Sequence, residues 1–193
     1  VITTDFILEW LGALTGLACV VLTVKRRVIC WPVGLVSVVC FAVFFFRIQL
    51  YADMALQGFF FATGLYGWWH WKRGGKNHSE APIRVLTRAQ RIRITGVAML
   101  CVPVIGWGLH EYTDASLPLL DTLVAVLSVI AQLLLMRKYY DAWPVWVLVD
   151  LLSLALYGMK EAWVTFGLYA VFLGLATTGW LAWRNALKRG EVR

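Results

Sequence analysis

Seven apolar runs set the terms for this chain, at about 6–24, 31–46, 53–71, 94–111, 119–136, 143–159 and 162–183. A helix rises ~1.5 Å per residue, so a run near ~20 residues matches the hydrocarbon thickness of a bilayer. Charged or turn-forming breaks separate the runs: KRR, RIQLYAD, KRGGKNHSEAPIR, TDASLP, RKYYDAWP and KE. Composition agrees, since 61% of the residues are hydrophobic, where a soluble domain has about half. Mean hydropathy is +0.72. The expectation is an all-α integral membrane protein with seven transmembrane helices. The opening VITTDF lacks the basic stretch of a cleaved signal peptide, so the first run is expected to remain as a helix. Cys19, Cys30, Cys40 and Cys101 lie in or beside apolar runs with no C-x-x-C spacing, so neither zinc nor a disulfide framework is expected.

The basic residues set the orientation. Lys25, Arg26 and Arg27 follow the first run. Lys72, Arg73, Lys76, Arg84, Arg88, Arg91 and Arg93 follow the third. Arg137 and Lys138 follow the fifth, and Arg184, Lys188, Arg189 and Arg193 the seventh. Only Arg47 and Lys160 fall on the other side. Positive charge stays in the cytoplasm, which places the N-terminus outside and the C-terminus inside. The net charge of +7 then reflects topology and attraction to anionic lipid, with no need for nucleic acid.

A second regularity runs through the chain. Trp31-Pro32-Val33 recurs as Trp143-Pro144-Val145, 112 positions on. At the same offset Glu9 meets Asp121, Lys25-Arg26 meets Arg137-Lys138, GWWHW from Gly67 meets GWLAW from Gly179, and Lys72 meets Arg184. Residues 9–73 align with 121–185 without a gap, which reads as a duplicated three-helix unit. One helix between two such units leaves the copies parallel, a 3+1+3 plan with a pseudo-two-fold axis along the membrane normal. The expected organisation is a first bundle at 1–73 and a basic cytoplasmic linker at 74–93. Linker helix 4 follows at 94–118, then a second bundle at 119–185 and a basic tail at 186–193. Pro32 and Pro144 suit the first helical position, where a missing N–H costs little. Pro103 is expected to kink helix 4.

The copies differ where function is expected. Asp150 stands in helix 6, where the first copy has Val38. Trp146, Asp150, Ser153 and Tyr157 follow i, i+4, i+7, i+11 spacing and share one face. Asp150 and Ser153 lie ~10 and ~15 Å from the cytoplasmic end, and a carboxylate near the midplane signals function by default. On helix 3, Gln57, Phe61, Gly64 and Trp68 have the same spacing. Helix 7 offers Tyr169, at the repeat equivalent of Gln57, with Ala176 and Trp180. Aromatic walls, a few hydrogen-bonding groups and one negative charge suit a flat organic cation, held between two bundles that rock in alternating access. A sugar calls for more amides and hydroxyls, and an inorganic cation for more oxygens.

Other residues have plainer readings. Trp31, Trp69, Trp71, Trp143 and Trp183 near the cytoplasmic ends, with Trp10 and Trp163 toward the outside, read as interface anchors. Trp68, Trp146 and Trp180 are balanced between anchor and site. Glu9 and Asp121 read as helix N-terminal acids. His70, His78 and His110 read as solvated. There is no phosphate-binding G-x-x-x-x-G-K-[ST] loop for an ATP motor. No Lys lies within an apolar run to hold retinal, which weakens the alternative of a seven-helix receptor or photosensor. An intramembrane enzyme needs a paired acid, base or nucleophile at one depth, and Asp150 has none.

LYADMALQGFFFATGLYGWWHW on helix 3 and DAWPVWVLVDLLSLALYGMK on helix 6 resemble the PnuC family of vitamin transporters. The 3+1+3 plan is similar to that of the wider SWEET superfamily. The resemblance implies a homotrimer in the bacterial inner membrane. It implies uptake of nicotinamide riboside by facilitated diffusion, with trapping by phosphorylation inside the cell and no cofactor. Similar members take thiamine. Gln57, Trp68, Trp146 and Ser153 match the family's substrate positions. Position 150 is Asn in some nicotinamide riboside members and Asp150 here. Both vitamins carry a positively charged nitrogen heterocycle.

Overall fold

The computed structural model describes residues 2–47, 51–112, 117–161 and 163–190. Their secondary structure is almost wholly helical: α1 (Ile2–Val24), α2 (Cys30–Arg47), α3 (Tyr51–Arg73), α4 (Arg88–Tyr112), α5 (Pro118–Met136), α6 (Ala142–Met159) and α7 (Trp163–Lys188), with a 3-10 turn at Lys76–His78. Six of these helices, all but α3, are long and apolar enough to cross a membrane. Helix α3 falls short in hydropathy because Gln57, Tyr66, His70 and three charged residues interrupt its apolar surface. The breaks expected at 48–50 and 113–116 lie outside the described residues.

The chain divides into two compact units. The first takes in Val1–Pro82, Met136–Lys138 and Arg189–Arg193, and the second Ile83–Leu135 and Tyr139–Lys188. In the first, α1 and α2 approach closely because small residues line the contact. A Cβ on Gly12 would lie 3.0 Å from the Phe41 ring, and one on Gly16 3.0 Å from Ser37 Oγ. The Ser37 hydroxyl donates to the Gly12 carbonyl at 2.7 Å, an interhelical bond of the kind that locks helices together in hydrocarbon. Helix α2 begins at Cys30, so Pro32 sits two residues into the first turn. Helix α6 begins at Ala142, which puts Pro144 at the same place. Both prolines still fall where no intrahelical acceptor exists for their missing N–H.

The same local geometry occurs twice along the chain. Arg26 and Lys138 both adopt φ 60°. The next residue's N–H reaches back to the helix, Arg27 to the Leu22 carbonyl and Tyr139 to the Leu134 carbonyl, each at 3.0 Å. That is a Schellman closure with a cationic residue where glycine is usual. A few residues on, Trp31 fits against Gly67, where a Cβ would lie 2.4 Å from the ring. Trp143 fits against Gly179, where it would lie 2.3 Å away. Each tryptophan then meets a second one edge-on, Trp31 with Trp71 and Trp143 with Trp183, both at 5.5 Å.

These contacts correct the anchor reading for four tryptophans. Trp31, Trp71, Trp143 and Trp183 are 6%, 0%, 2% and 0% exposed, so they are core knobs rather than interface anchors. Glycine opposite the indole is the cause, since it leaves room for the ring to pass inward. Trp10, Trp69 and Trp163 remain exposed. His70 is not solvated as expected, for it is half-buried and stacks on Tyr66 at 5.7 Å. Lys138 is buried in the first unit with its ammonium 4.9 Å over the Trp71 ring. Desolvation draws its pKa below the usual lysine range, and the Glu80 carboxylate opposes that.

The segment before α4 is less solvated than its composition suggests. Ala81, Ile83 and Leu86 are buried. Helix α4 starts at Arg88 on a reciprocal capping box. Gln90 Oε1 accepts from the Thr87 N–H at 2.9 Å, and Thr87 Oγ1 accepts from the Gln90 N–H at 3.3 Å. Pro103 lies inside α4.

Candidate functional site

Helix α6 is apolar except along the line Trp146, Asp150, Ser153 and Tyr157. The two small polar residues are deep, with Asp150 4% exposed and Ser153 fully buried. Ser153 Oγ has no hydrogen-bond partner at ordinary distance. The Tyr169 phenol on α7 lies close enough to interact with Ser153, Asp150 and Tyr157. Tyr157 and Tyr169 stack with ring centroids 5.2 Å apart and planes 20° from parallel. Phe172 closes on Tyr169 edge-on at 6.1 Å. The structure therefore brings Asp150, Ser153, Tyr157 and Tyr169 into one patch within the second unit.

Among the described residues no cation pairs with Asp150, and the ion pairs of this unit lie elsewhere. A bare carboxylate at mid-helix costs roughly 2.5–3.5 kcal/mol on insertion scales, which a bound cation can offset. The stacked rings add a face to which a flat cation is attracted, and the Ser153 hydroxyl adds a hydrogen-bonding group beside it. Among the described residues no group of three His, Cys, Asp or Glu side chains could hold a metal.

The other sequence-predicted positions each have their own surroundings. Trp146 is half-buried and packs against a cluster of Leu86, Leu134 and Ala142. Trp180 is partly buried, and its indole N–H is donated to the Tyr140 hydroxyl. On α3, in the first unit, Gln57 is half-buried, while Phe61 and Trp68 are 39% and 38% exposed. Gly64 on the same face is buried, and a Cβ there would lie 2.9 Å from Leu35 Cδ2. Asp121 is in the first turn of α5 as expected, and it also pairs with Lys160 at 3.0 Å.

Three polar residues at the start of α6 and α4 escaped the sequence reading. Asp141 Oδ2 accepts from the Leu86 N–H at 2.7 Å, and Oδ1 accepts from Arg91 Nε at 2.9 Å. Tyr140 N–H is donated to the Arg84 carbonyl at 2.8 Å. Tyr140 and Asp141 sit in the RKYYDAWP break, which reads as an ordinary turn, and nothing in their spacing points at Arg91.

The chain is thus a helical protein with candidate membrane spans whose second unit buries a carboxylate near stacked aromatic rings. The sequence matches the model of the Nicotinamide mononucleotide transporter family over residues 6–185, and the chain belongs to that family. It is 29% identical over 210 residues to the nicotinamide riboside transporter PnuC of Escherichia coli (strain K12), covering 95% of this chain and 88% of the relative. It is 26% identical over 152 residues to the riboflavin/roseoflavin transporter RibM of Streptomyces davaonensis, covering 77% and 70%. A crystal structure of the vitamin B3 transporter PnuC matches with a TM-score of 0.72 at 26% identity, covering 94% of this chain and 82% of that one. The protein is accordingly a transporter, not an enzyme, and a multi-pass protein of the bacterial inner membrane.

Proposed function

We propose that this transporter takes up nicotinamide riboside by facilitated diffusion, in an alternating-access cycle without chemistry. The observation that carries the reading is Asp150, buried and unpaired on α6 beside Ser153 and the stacked Tyr157–Tyr169 pair. Nicotinamide riboside presents a flat pyridinium ring with a fixed positive charge and a ribose with hydroxyls. The carboxylate neutralises the ring, the tyrosines face it, and Ser153 and Gln57 serve the polar groups. Phe61 and Trp68 on α3, with Trp146 and Trp180, complete the aromatic walls.

In this reading α3 is the seventh span. The units form a 3+1+3 parallel repeat in the manner of SWEET proteins, with the N-terminus outside and the C-terminus in the cytoplasm. The functional unit is a homotrimer. Support comes from the 112-residue offset and from the recurrence of the Trp–Gly knob at that offset in each unit.

Thiamine also offers a cationic ring and is the second reading that Asp150 favours. A flavin, the cargo named for the Streptomyces relative, carries no fixed positive charge and leaves Asp150 without a role. The test is a calorimetric titration of purified protein with nicotinamide riboside, thiamine and riboflavin in turn. Saturable binding of nicotinamide riboside alone is expected. Binding of thiamine alone reassigns the vitamin but keeps the cation site, and binding of riboflavin alone overturns the role of Asp150.

A further inference from the structure

Tyr140 belongs to no spanning helix, yet it is the residue that holds the Trp180 indole, by accepting the ring N–H at its hydroxyl. Three further hydrogen-bonded contacts fix the turn that carries it. The Tyr140 N–H is donated to the Arg84 carbonyl at 2.8 Å. The neighbouring Asp141 takes the Leu86 N–H at 2.7 Å on one oxygen and the Arg91 guanidinium on the other, with Nε at 2.9 Å. Asp141 is 8% exposed, so these bonds are shielded and charge-assisted. Arg84 also lies 5.4 Å over the Tyr139 ring. Leu86 enters the cluster against which Trp146 packs. The stretch from Arg84 to Arg91 thus works as a strap, meeting the cluster under Trp146 through Leu86 and reaching Trp180 through Tyr140, from outside the apolar runs.

The first unit has no equivalent device. The repeat counterparts of Tyr140 and Asp141 are Val28 and Ile29, which offer no hydroxyl or carboxylate. Trp68, the counterpart of Trp180, is 38% exposed. An indole whose only polar atom is committed to a fixed acceptor has one preferred ring plane, and a flat substrate stacks best on a wall that is already set.

We propose that Tyr140 is a positioning residue for substrate recognition: its hydroxyl fixes the plane of Trp180, and the Arg84–Arg91 strap holds Tyr140 in place through Asp141. The proposal rests on the reading that Trp180 lines the nicotinamide riboside slot. It differs from simple satisfaction of an indole N–H, which predicts a change in stability and none in affinity.

The test is a double-mutant cycle read by nicotinamide riboside titration and thermal unfolding of the detergent-purified full chain. Tyr140→Phe keeps the ring and removes only the hydroxyl. It is expected to weaken binding about three- to tenfold, because the wall is no longer set in advance, alongside a small fall in the unfolding midpoint from the lost bond. Trp180→Phe keeps an aromatic wall without the N–H. In that background Tyr140→Phe is expected to have no further effect, because the partner is already gone. Asp141→Asn is expected to mimic Tyr140→Phe in affinity.

A weakening by Tyr140→Phe that persists undiminished in the Trp180→Phe background overturns the positioning role. So does a fall in unfolding midpoint with affinity intact. If Trp180→Ala abolishes binding while Tyr140→Phe leaves it unchanged, the slot reading stands and this proposal fails. If Trp180→Ala leaves binding intact in a protein that binds nicotinamide riboside, the assignment of Trp180 to the slot fails first.

Discussion

Within its own unit, Trp31 rests on Gly67 and meets Trp71 edge-on; within the other, Trp143 rests on Gly179 and meets Trp183 in the same way. The turns before them carry Arg26 and Lys138, both at φ 60°. What hangs on this shared frame differs. Where the second unit has Asp150, Ser153 and Tyr157, the first has Val38, Phe41 and Phe45. In the first unit Phe41 and Phe45 stack at 5.8 Å. In the second the equivalent positions turn polar, and Tyr157 stacks instead on Tyr169. The first unit invests in helix contact, with Ser37 bonded to Gly12 across α1 and α2. At those two positions the second unit has Val149 and Val124. The lesson is that close glycine–indole packing recurs in both units, while positions free of that packing are apolar in one and polar in the other.

The comparison can be broken in order of effect. Giving the second unit the residue of the first, Asp150→Val, removes the carboxylate and keeps a helix-compatible side chain. Binding of nicotinamide riboside is expected to fall by about 10- to 150-fold, the ~1.5–3 kcal/mol of a charged contact, and calorimetry reads it. Gly67→Ala and Gly179→Ala place a methyl into the tryptophan ring on either side. Each is expected to destabilise by about 1–3 kcal/mol, and the two losses should match in thermal unfolding if the frame is common. A loss at one site alone breaks the equivalence. Ser37→Ala removes an interhelical bond peculiar to the first unit and is expected to cost about 0.6 kcal/mol. Smallest is Lys160→Met, which removes the pair with Asp121. That pair is about a third exposed, so roughly 0.2–1 kcal/mol is at stake, with the loss shrinking at high salt.

Much of this was legible in the chain. The helices begin and end close to the apolar runs, because charge and turn residues cannot be carried into hydrocarbon. Asp150 stood out for the same reason: a carboxylate in an apolar run is costly unless it is paired or serves a function. The 112-residue offset pairs Trp31 with Trp143 and Gly67 with Gly179. It did not say what those tryptophans do. Aromatic residues at helix ends usually face the interface, and only the structure reveals that Gly67 and Gly179 open a space for them. The Asp141–Arg91 ion pair was hidden because its partners are 50 residues apart and lie in segments of ordinary polar composition. Tyr140 was hidden because one hydroxyl in a turn carries no periodic signal. The start of α4 was readable but missed, since Thr87 and Gln90 have the spacing of a capping box.

The central claim is that Asp150 recognises a positive charge on a flat ring. The most direct measurement compares nicotinamide riboside with its uncharged 1,4-dihydro form, titrated against the wild-type protein and Asp150→Asn, with thermal unfolding confirming that both are folded. The account predicts that the wild-type protein prefers the cationic form by about tenfold or more, near 1.4 kcal/mol, and that Asp150→Asn loses most of that preference. An equal preference in both proteins, or none in either, contradicts it.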